Sequence, residues 1–283
     1  QIEIHSHNVL LPSCQLLQHI HYQNYQNLCL ISTEKITHHK HLELFQKVEQ
    51  LYQSSSADYQ SQQIQQILNR VSKSTKIIFI SGASASGKSV LSQILKEQLG
   101  QQKIDCQIVQ MDNFFDDPSK ENAPKYNGQP YFVHIQALRV EYLIDNLKKL
   151  LNAQEVEMPS YDFKNQKPNP STSKMKLQKD QIIILEGIHA LNPMFTNIVS
   201  HEEGIKIFVQ PFGSQVFSSA FIRLIRRICR DSTERGNPIS KTLYMWPTVR
   251  HGEEEWIFVN QYLADYYFNS FRQEEIYEFQ IKL

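Results

Sequence analysis

The sequence predicts an α/β fold, a parallel sheet flanked by helices, on three observations. In the first, a short apolar strand, Ile77 to Ile80, breaks into Gly82, Ala83, Ser84, Ala85, Ser86, Gly87, Lys88 and Ser89, then resumes at helical spacing through Val90, Leu91, Ile94 and Leu95. Second, two more apolar runs, Ile104 to Gln110 and Gln181 to Gly187, lead to acids, Asp112 and Glu186. Third, the segments between such runs carry helical periodicity, as in Leu138, Tyr142, Leu143, Leu147, Leu150 and Leu151.

Strand, glycine loop and helix form the context of a phosphate-binding loop. Glycines let the backbone wrap an anion, several N–H groups point inward, and the helix N-terminus adds partial positive charge. Lys88 then reaches the β- and γ-phosphates of a nucleotide and the Ser89 hydroxyl ligates Mg²⁺. A glycine-rich turn of a Rossmann-like domain would leave Lys88 without a purpose. The sheet is therefore of the P-loop NTPase type, with a small N-terminal α+β attachment over residues 1–75 and the nucleotide-binding domain over 76–283.

The chain has 283 residues, with 29 Lys and Arg against 29 Asp and Glu. Zero net charge supplies no global field toward nucleic acid or anionic membrane, so a nucleic-acid partner is not expected and anion binding must be local. The sequence has no apolar run of membrane-spanning length and no secretory pattern, which makes a cytoplasmic protein the expectation. Cys14, Cys29, Cys106 and Cys229 are scattered without a CxxC pair, as packed, reduced thiols are. Gln1 in place of Met suggests a processed or trimmed piece. A homo-oligomer is compatible with all of this.

Residues 1 to about 40 read as short strands and loops. His5, His7, His19, His21, His38, His39 and His41 raise a metal site, but no carboxylate or thiolate set completes it, so they read as surface histidines. An amphipathic helix runs from His41 to Tyr52, and a second, with Asp58 as its cap and glutamines as its wet face, carries Ile64, Ile67, Leu68 and Val71.

An acid at the C-terminal end of a strand in a parallel sheet sits where ligands bind, which makes Asp112 a catalytic candidate rather than a strand-terminating turn acid. Asp116 to Gly128 reads as a mobile loop over the site, and Val156 to Phe163 with Lys174 to Leu177 as a hairpin appended to the sheet. Glu186 ends a strand of the kind whose carboxylate holds Mg²⁺ directly or through water. Ile205 to Gln210 is a further strand. Ala220 to Arg235 is a basic helix with Arg223, Arg226, Arg227 and Arg230, read as a lid that closes arginines on the transferring phosphate. Trp246 to Tyr267 reads as a helix or loop and a last edge strand.

The residues Gly82 to Ser89, Asp112 to Phe115, Tyr161 to Phe163, Leu185 to Leu191, Arg226 to Asp231 and Glu234 to Gly236 resemble the uridine kinase and phosphoribulokinase family across about residues 75 to 280. Glu186 to Pro193, Met245 to Phe258, Ala264, Asp265 and Phe268 to Ser270 resemble its uridine kinase-like branch, which carries an N-terminal region similar to part of threonyl-tRNA synthetase. The stop at Leu283 then suggests a shortened C-terminus.

The resemblance implies transfer of the ATP γ-phosphoryl to a nucleoside 5′-hydroxyl, with ATP and Mg²⁺ as cofactors and a small nucleoside-like acceptor as partner. Lys88 and Ser89 match the phosphate and metal ligands, Asp112 the acid that accepts the hydroxyl proton, and Glu186 the acid of the metal shell. Tyr161 matches an aromatic residue on the base and Arg227 an arginine near the sugar hydroxyls. Arg230 and Arg235 match lid arginines on the phosphates. Four positions depart from the family pattern: Val133 replaces a ribose-gripping acid, Phe115 a tyrosine, Gln166 a base-reading histidine and Asn237 a lid arginine. Uridine specificity therefore does not follow. The alternatives are a nucleotide-binding regulatory or RNA-associated protein without turnover, or a kinase for another acceptor such as pantothenate or ribulose phosphate.

Overall fold

The computed structural model describes residues 21–25, 28–32, 57–170, 172–212, 218–272 and 274–275. The helix expected over 41–52 and the histidines other than His21 in the first 41 residues lie outside these. Strands β1 (His21–Tyr25) and β2 (Leu28–Ser32) pair antiparallel, Gln23 opposite Leu30.

Helix α1 (Ala57–Arg70) begins at Ala57. Asp58, expected as its cap, therefore sits in the first turn, because a cap needs non-helical backbone. The expected wet glutamine face holds for the exposed Gln62, Gln65 and Gln66 but not for Gln60 and Gln63. Gln60 Nε2 donates to the carbonyls of Asn269 and Phe271 at 3.1 and 3.0 Å, and Gln63 Nε2 to Tyr267 at 2.9 Å. These carbonyls lie along and just past the outer edge of the last strand, where no further strand among the described residues supplies donors.

The centre is a five-stranded parallel sheet of β3 (Ile77–Ser81), β4 (Cys106–Gln110), β11 (Ile182–Glu186), β12 (Gly204–Gln210) and β13 (Tyr266–Asn269), in the order β13-β12-β3-β11-β4. Near-continuous β-branched runs suit strands buried on both faces. Alternation sends Ile78, Ile80, Ile182 and Ile184 to one face, where α1 and helix α2 (Lys88–Gln101) cover them with Ile67, Leu68, Leu91, Leu95 and Leu99. Ile77, Phe79, Ile183 and Leu185 face the other way, onto Leu143 and Leu147 of α3 (Val140–Leu151).

The hairpin region stands apart from the sheet, against expectation. β7 (Val156–Met158) pairs with β10 (Ser173–Met175), and β8 (Tyr161–Asp162) with β9 (Lys167–Pro168), each as its own ladder. The Glu157 carbonyl explains this, since it accepts from Tyr142 Oη at 2.6 Å and Asn146 Nδ2 at 2.9 Å, which fastens β7 to α3. The segment 116–128 ends in a two-residue ladder between β5 (Lys125–Tyr126) and β6 (Gln129–Pro130).

After the four-residue helix α4 (Pro193–Thr196), α5 (Ser219–Thr233) and α6 (Ile239–Gly252) follow, and a π turn at Glu253–Ile257 precedes edge strand β13. No helix among the described residues is long and apolar enough to cross a membrane.

Candidate active site

The central strand β3 delivers the glycine loop to the crevice at the C-terminal edge of the sheet, between oppositely directed crossovers. Gly82 has φ 150°, and a Cβ there would lie 2.1 Å from the Val209 carbonyl oxygen, so no larger residue fits this turn. Helix α2 opens at Lys88 with no side-chain cap, which leaves its first N–H groups free for an anion. Lys88 Nζ donates to Ala83 O at 3.1 Å, one of three donors used, and Ser86 Oγ is buried without a partner. Burial lowers the Lys88 pKa, while Glu186 and Asp112 pull it back up.

Glu186 ends β11 beside the loop, 8% exposed. Ser89 Oγ donates to its Oε2 at 3.2 Å. Burial raises its pKa, and Lys88 opposes that shift. Asp112 lies in the 3-10 turn Met111–Phe114 that follows β4, and its charge acts on both Lys88 and Glu186. A Cβ on Gly187 would lie 2.5 Å from Met111 Cβ, so glycine lets the two strand ends approach. Lysine, serine hydroxyl and two carboxylates thus converge. Hard oxygen donors of this kind fit Mg²⁺, and the open amides fit a triphosphate.

The basic helix divides its arginines. Arg227 NH1 donates to Ser84 Oγ at 2.8 Å, and its Nε lies 3.3 Å from Asp231 Oδ2. Arg230 and Arg235 approach the same Asp231 at 2.9 and 3.7 Å, and Arg235 lies 4.2 Å over the Phe163 ring. Burial lowers the Arg227 pKa to about 10.

Arg223 and Arg226, read with the others as lid residues, face the back of the glycine loop instead. Arg223 NH1 donates to Ser84 O at 3.2 Å and Arg226 NH1 to Ala85 O at 3.4 Å. The fully buried Glu253 neutralises the first and Glu275 the second, so neither arginine is free to close on a phosphate.

A cavity of about 740 Å³ runs from Ser84, Asp112 and the three arginines at 227, 230 and 235 to an aromatic wall. Tyr161 lines it with a buried, unpartnered hydroxyl, its ring 5.6 Å from Phe115 and 5.2 Å from Phe163. Phe115, Val133, Gln166 and Asn237, the four departures, all line this one cavity. The described structure therefore gathers the loop, Asp112, Glu186, Tyr161, Arg227, Arg230 and Arg235 around this strand edge and cavity, and leaves Arg223 and Arg226 behind the loop.

It adds Glu253, the carboxylate against Arg223, and Ser270, whose hydroxyl donates to Ser86 O. Glu253 and Ser270 sit in the family-like strings of the sequence, but nothing local says that they face the loop.

A model described as the phosphoribulokinase / uridine kinase family matches residues 77–277. A uridine kinase of Macrococcus caseolyticus is 34% identical over 180 residues, 62% of this chain and 78% of that protein. The uridine kinase-like protein 5 of Arabidopsis thaliana is 33% identical over 191 residues, 67% of this chain and 38% of that protein. The chain thus spans little more than a third of that plant relative. Among solved structures, one described as a fructose transport system kinase from Silicibacter sp. TM1040 aligns with TM-score 0.52 at 18% identity, over 72% of this chain and 96% of that one, a likeness of fold.

Proposed function

The chain belongs to the phosphoribulokinase / uridine kinase family, and from that premise we propose that it is a kinase that moves the γ-phosphoryl group of ATP to a hydroxyl of a small metabolite, a nucleoside 5′-hydroxyl first. The observation that carries the reading is the convergence of Lys88, Ser89, Asp112 and Glu186 at one strand edge.

Positioning and charge neutralisation dominate phosphoryl transfer, and each residue has a part in them. The loop amides and Lys88 hold the β- and γ-phosphates. Ser89, Glu186 and Asp112 would hold the Mg²⁺, which when bound would neutralise charge that develops on the phosphate oxygens. Asp112 accepts the acceptor's hydroxyl proton. Arg230 and Arg235 close on the transferring group, and Arg227 orients the acceptor beside Tyr161.

The acceptor side is less committed to uridine than the phosphate side is to ATP. Where a ribose diol needs a carboxylate there is Val133, and such a missing partner costs about 1–3 kcal/mol of discrimination. A sugar phosphate or another hydroxylated acid is therefore a second acceptor class. The division into residues 1–75 and 76–283, the synthetase-like character of the first part and a cytoplasmic location belong to the same proposal. Helix α1 is nonetheless packed on the sheet.

A panel of nucleosides, deoxynucleosides and sugar phosphates with Mg·ATP, read by product mass, tests the function. A monophosphorylated product supports it, and ATP binding with no product from any acceptor contradicts it.

A further inference from the structure

We propose that Glu253 is a positioning residue for the phosphate cradle, acting through Arg223. The inference rests on the reading of Gly82 to Ser89 as a triphosphate site. Both side chains are 0% exposed. Arg223 NH2 donates to Glu253 Oε2 at 2.9 Å and NH1 donates to Oε1, while the same NH1 reaches the carbonyl oxygen of Ser84 at 3.2 Å.

A loop that binds an anion through its N–H groups must turn its carbonyls away. Each outward carbonyl then needs a donor, or the peptide can flip and aim its oxygen at the phosphate. Arg223 supplies that donor at Ser84. A guanidinium buried so completely is tolerated only with a carboxylate against it, and Glu253 is that carboxylate. Arg226 repeats the device one turn on, with Ala85 O at 3.4 Å and the two Glu275 oxygens at 2.9 and 2.8 Å.

Glu253 differs from Glu275 in where its own element leads. It opens the π turn Glu253–Ile257, and the residues beside it in sequence support the acceptor wall. Glu255 Oε2 accepts from Tyr131 Oη at 2.9 Å, and a Cβ on Gly252 would lie 2.6 Å from Val133 Cβ. Arg250 NH1 donates to Glu253 Oε2 at 2.7 Å, which fixes the carboxylate from the α6 side. One short turn therefore sets both the wall that meets the acceptor and the carbonyl orientation of the loop that meets the nucleotide.

The test separates positioning from stability. Wild type, Arg223→Met, Glu253→Gln and the double variant Arg223→Met/Glu253→Leu are compared as full chains by thermal midpoint and by equilibrium binding of Mg·β,γ-imido-ATP. The double variant leaves no lone buried charge, since Arg250 keeps Glu254 at 3.4 Å, so its midpoint recovers relative to Arg223→Met. Its affinity stays about tenfold or more below wild type, because nothing donates to Ser84 O.

A double variant that binds the analogue as wild type does overturns the proposal. If that variant does not fold, Glu253→Gln decides at a temperature where it is fully folded: weakened binding supports the proposal and unchanged binding overturns it. A wild type that does not bind the analogue overturns the triphosphate reading itself, and this inference with it.

Discussion

Ser89 Oγ donates to Glu186 Oε2 across 3.2 Å, joining the first turn of the helix after the cradle to the last residue of the adjacent strand, 97 positions away. Both atoms are hard oxygens beside the proposed triphosphate site, so on the proposed function the bond marks where a magnesium ion would take its protein ligands.

Glu186→Gln keeps the shape and removes the charge. The expected outcome is a kcat lower by about 10²- to 10³-fold and a Mg²⁺ requirement raised about tenfold, read from initial rates across a Mg²⁺ titration.

Asp112→Asn removes the proposed proton acceptor and keeps the side chain's size, so the backbone of the cradle stays in place while one charge near Lys88 is lost. We expect kcat to fall about 10²- to 10⁴-fold, with analogue binding changed less than about threefold. Single-turnover kinetics beside calorimetry separate the two effects.

The cradle and its two acids were legible in the sequence because each is local. The Gly82 to Ser89 spacing and the strand-then-acid runs at Asp112 and Glu186 carry their own structural context. Pairings set by tertiary contact were not legible. Helical periodicity gathers Arg223 and Arg226 with the lid arginines, yet their partners, Glu253 and Glu275, lie 30 and 49 positions on. Gln60 and Gln63 are glutamines on an amphipathic helix until the edge of β13 gives their amides carbonyls to meet. The β7–β10 ladder has strand chemistry, but Tyr142 and Asn146 fasten it to α3 and away from the sheet.

His189 is 1% exposed, and burial lowers its pKa from 6.5 to about 3. A folded-state value below the unfolded one gives stability that is present above pH 6.5 and is lost as pH falls toward the folded value. Urea unfolding is expected to lose about 2 kcal/mol from this residue between pH 7 and 5. His189→Gln removes that part of the slope, and an unchanged slope contradicts the assignment.

Gly252→Ala adds a methyl 2.6 Å from Val133 Cβ and 2.9 Å from Tyr131 Cε2, with no backbone strain because the position is helical. Displacing that wall should cost about 1–3 kcal/mol of stability and raise the acceptor KM while the KM for ATP changes little. Steady-state kinetics with each substrate varied in turn, beside urea unfolding, check both effects.

The most direct test of the central claim is anomalous diffraction from a crystal grown with Mn²⁺ in place of Mg²⁺ and β,γ-imido-ATP. The account predicts one metal peak within coordination distance of Ser89 Oγ, flanked by the Glu186 and Asp112 carboxylates, with the triphosphate wrapped by residues 82–89. A nucleotide bound elsewhere, or a metal that touches neither Ser89 nor Glu186, would contradict it.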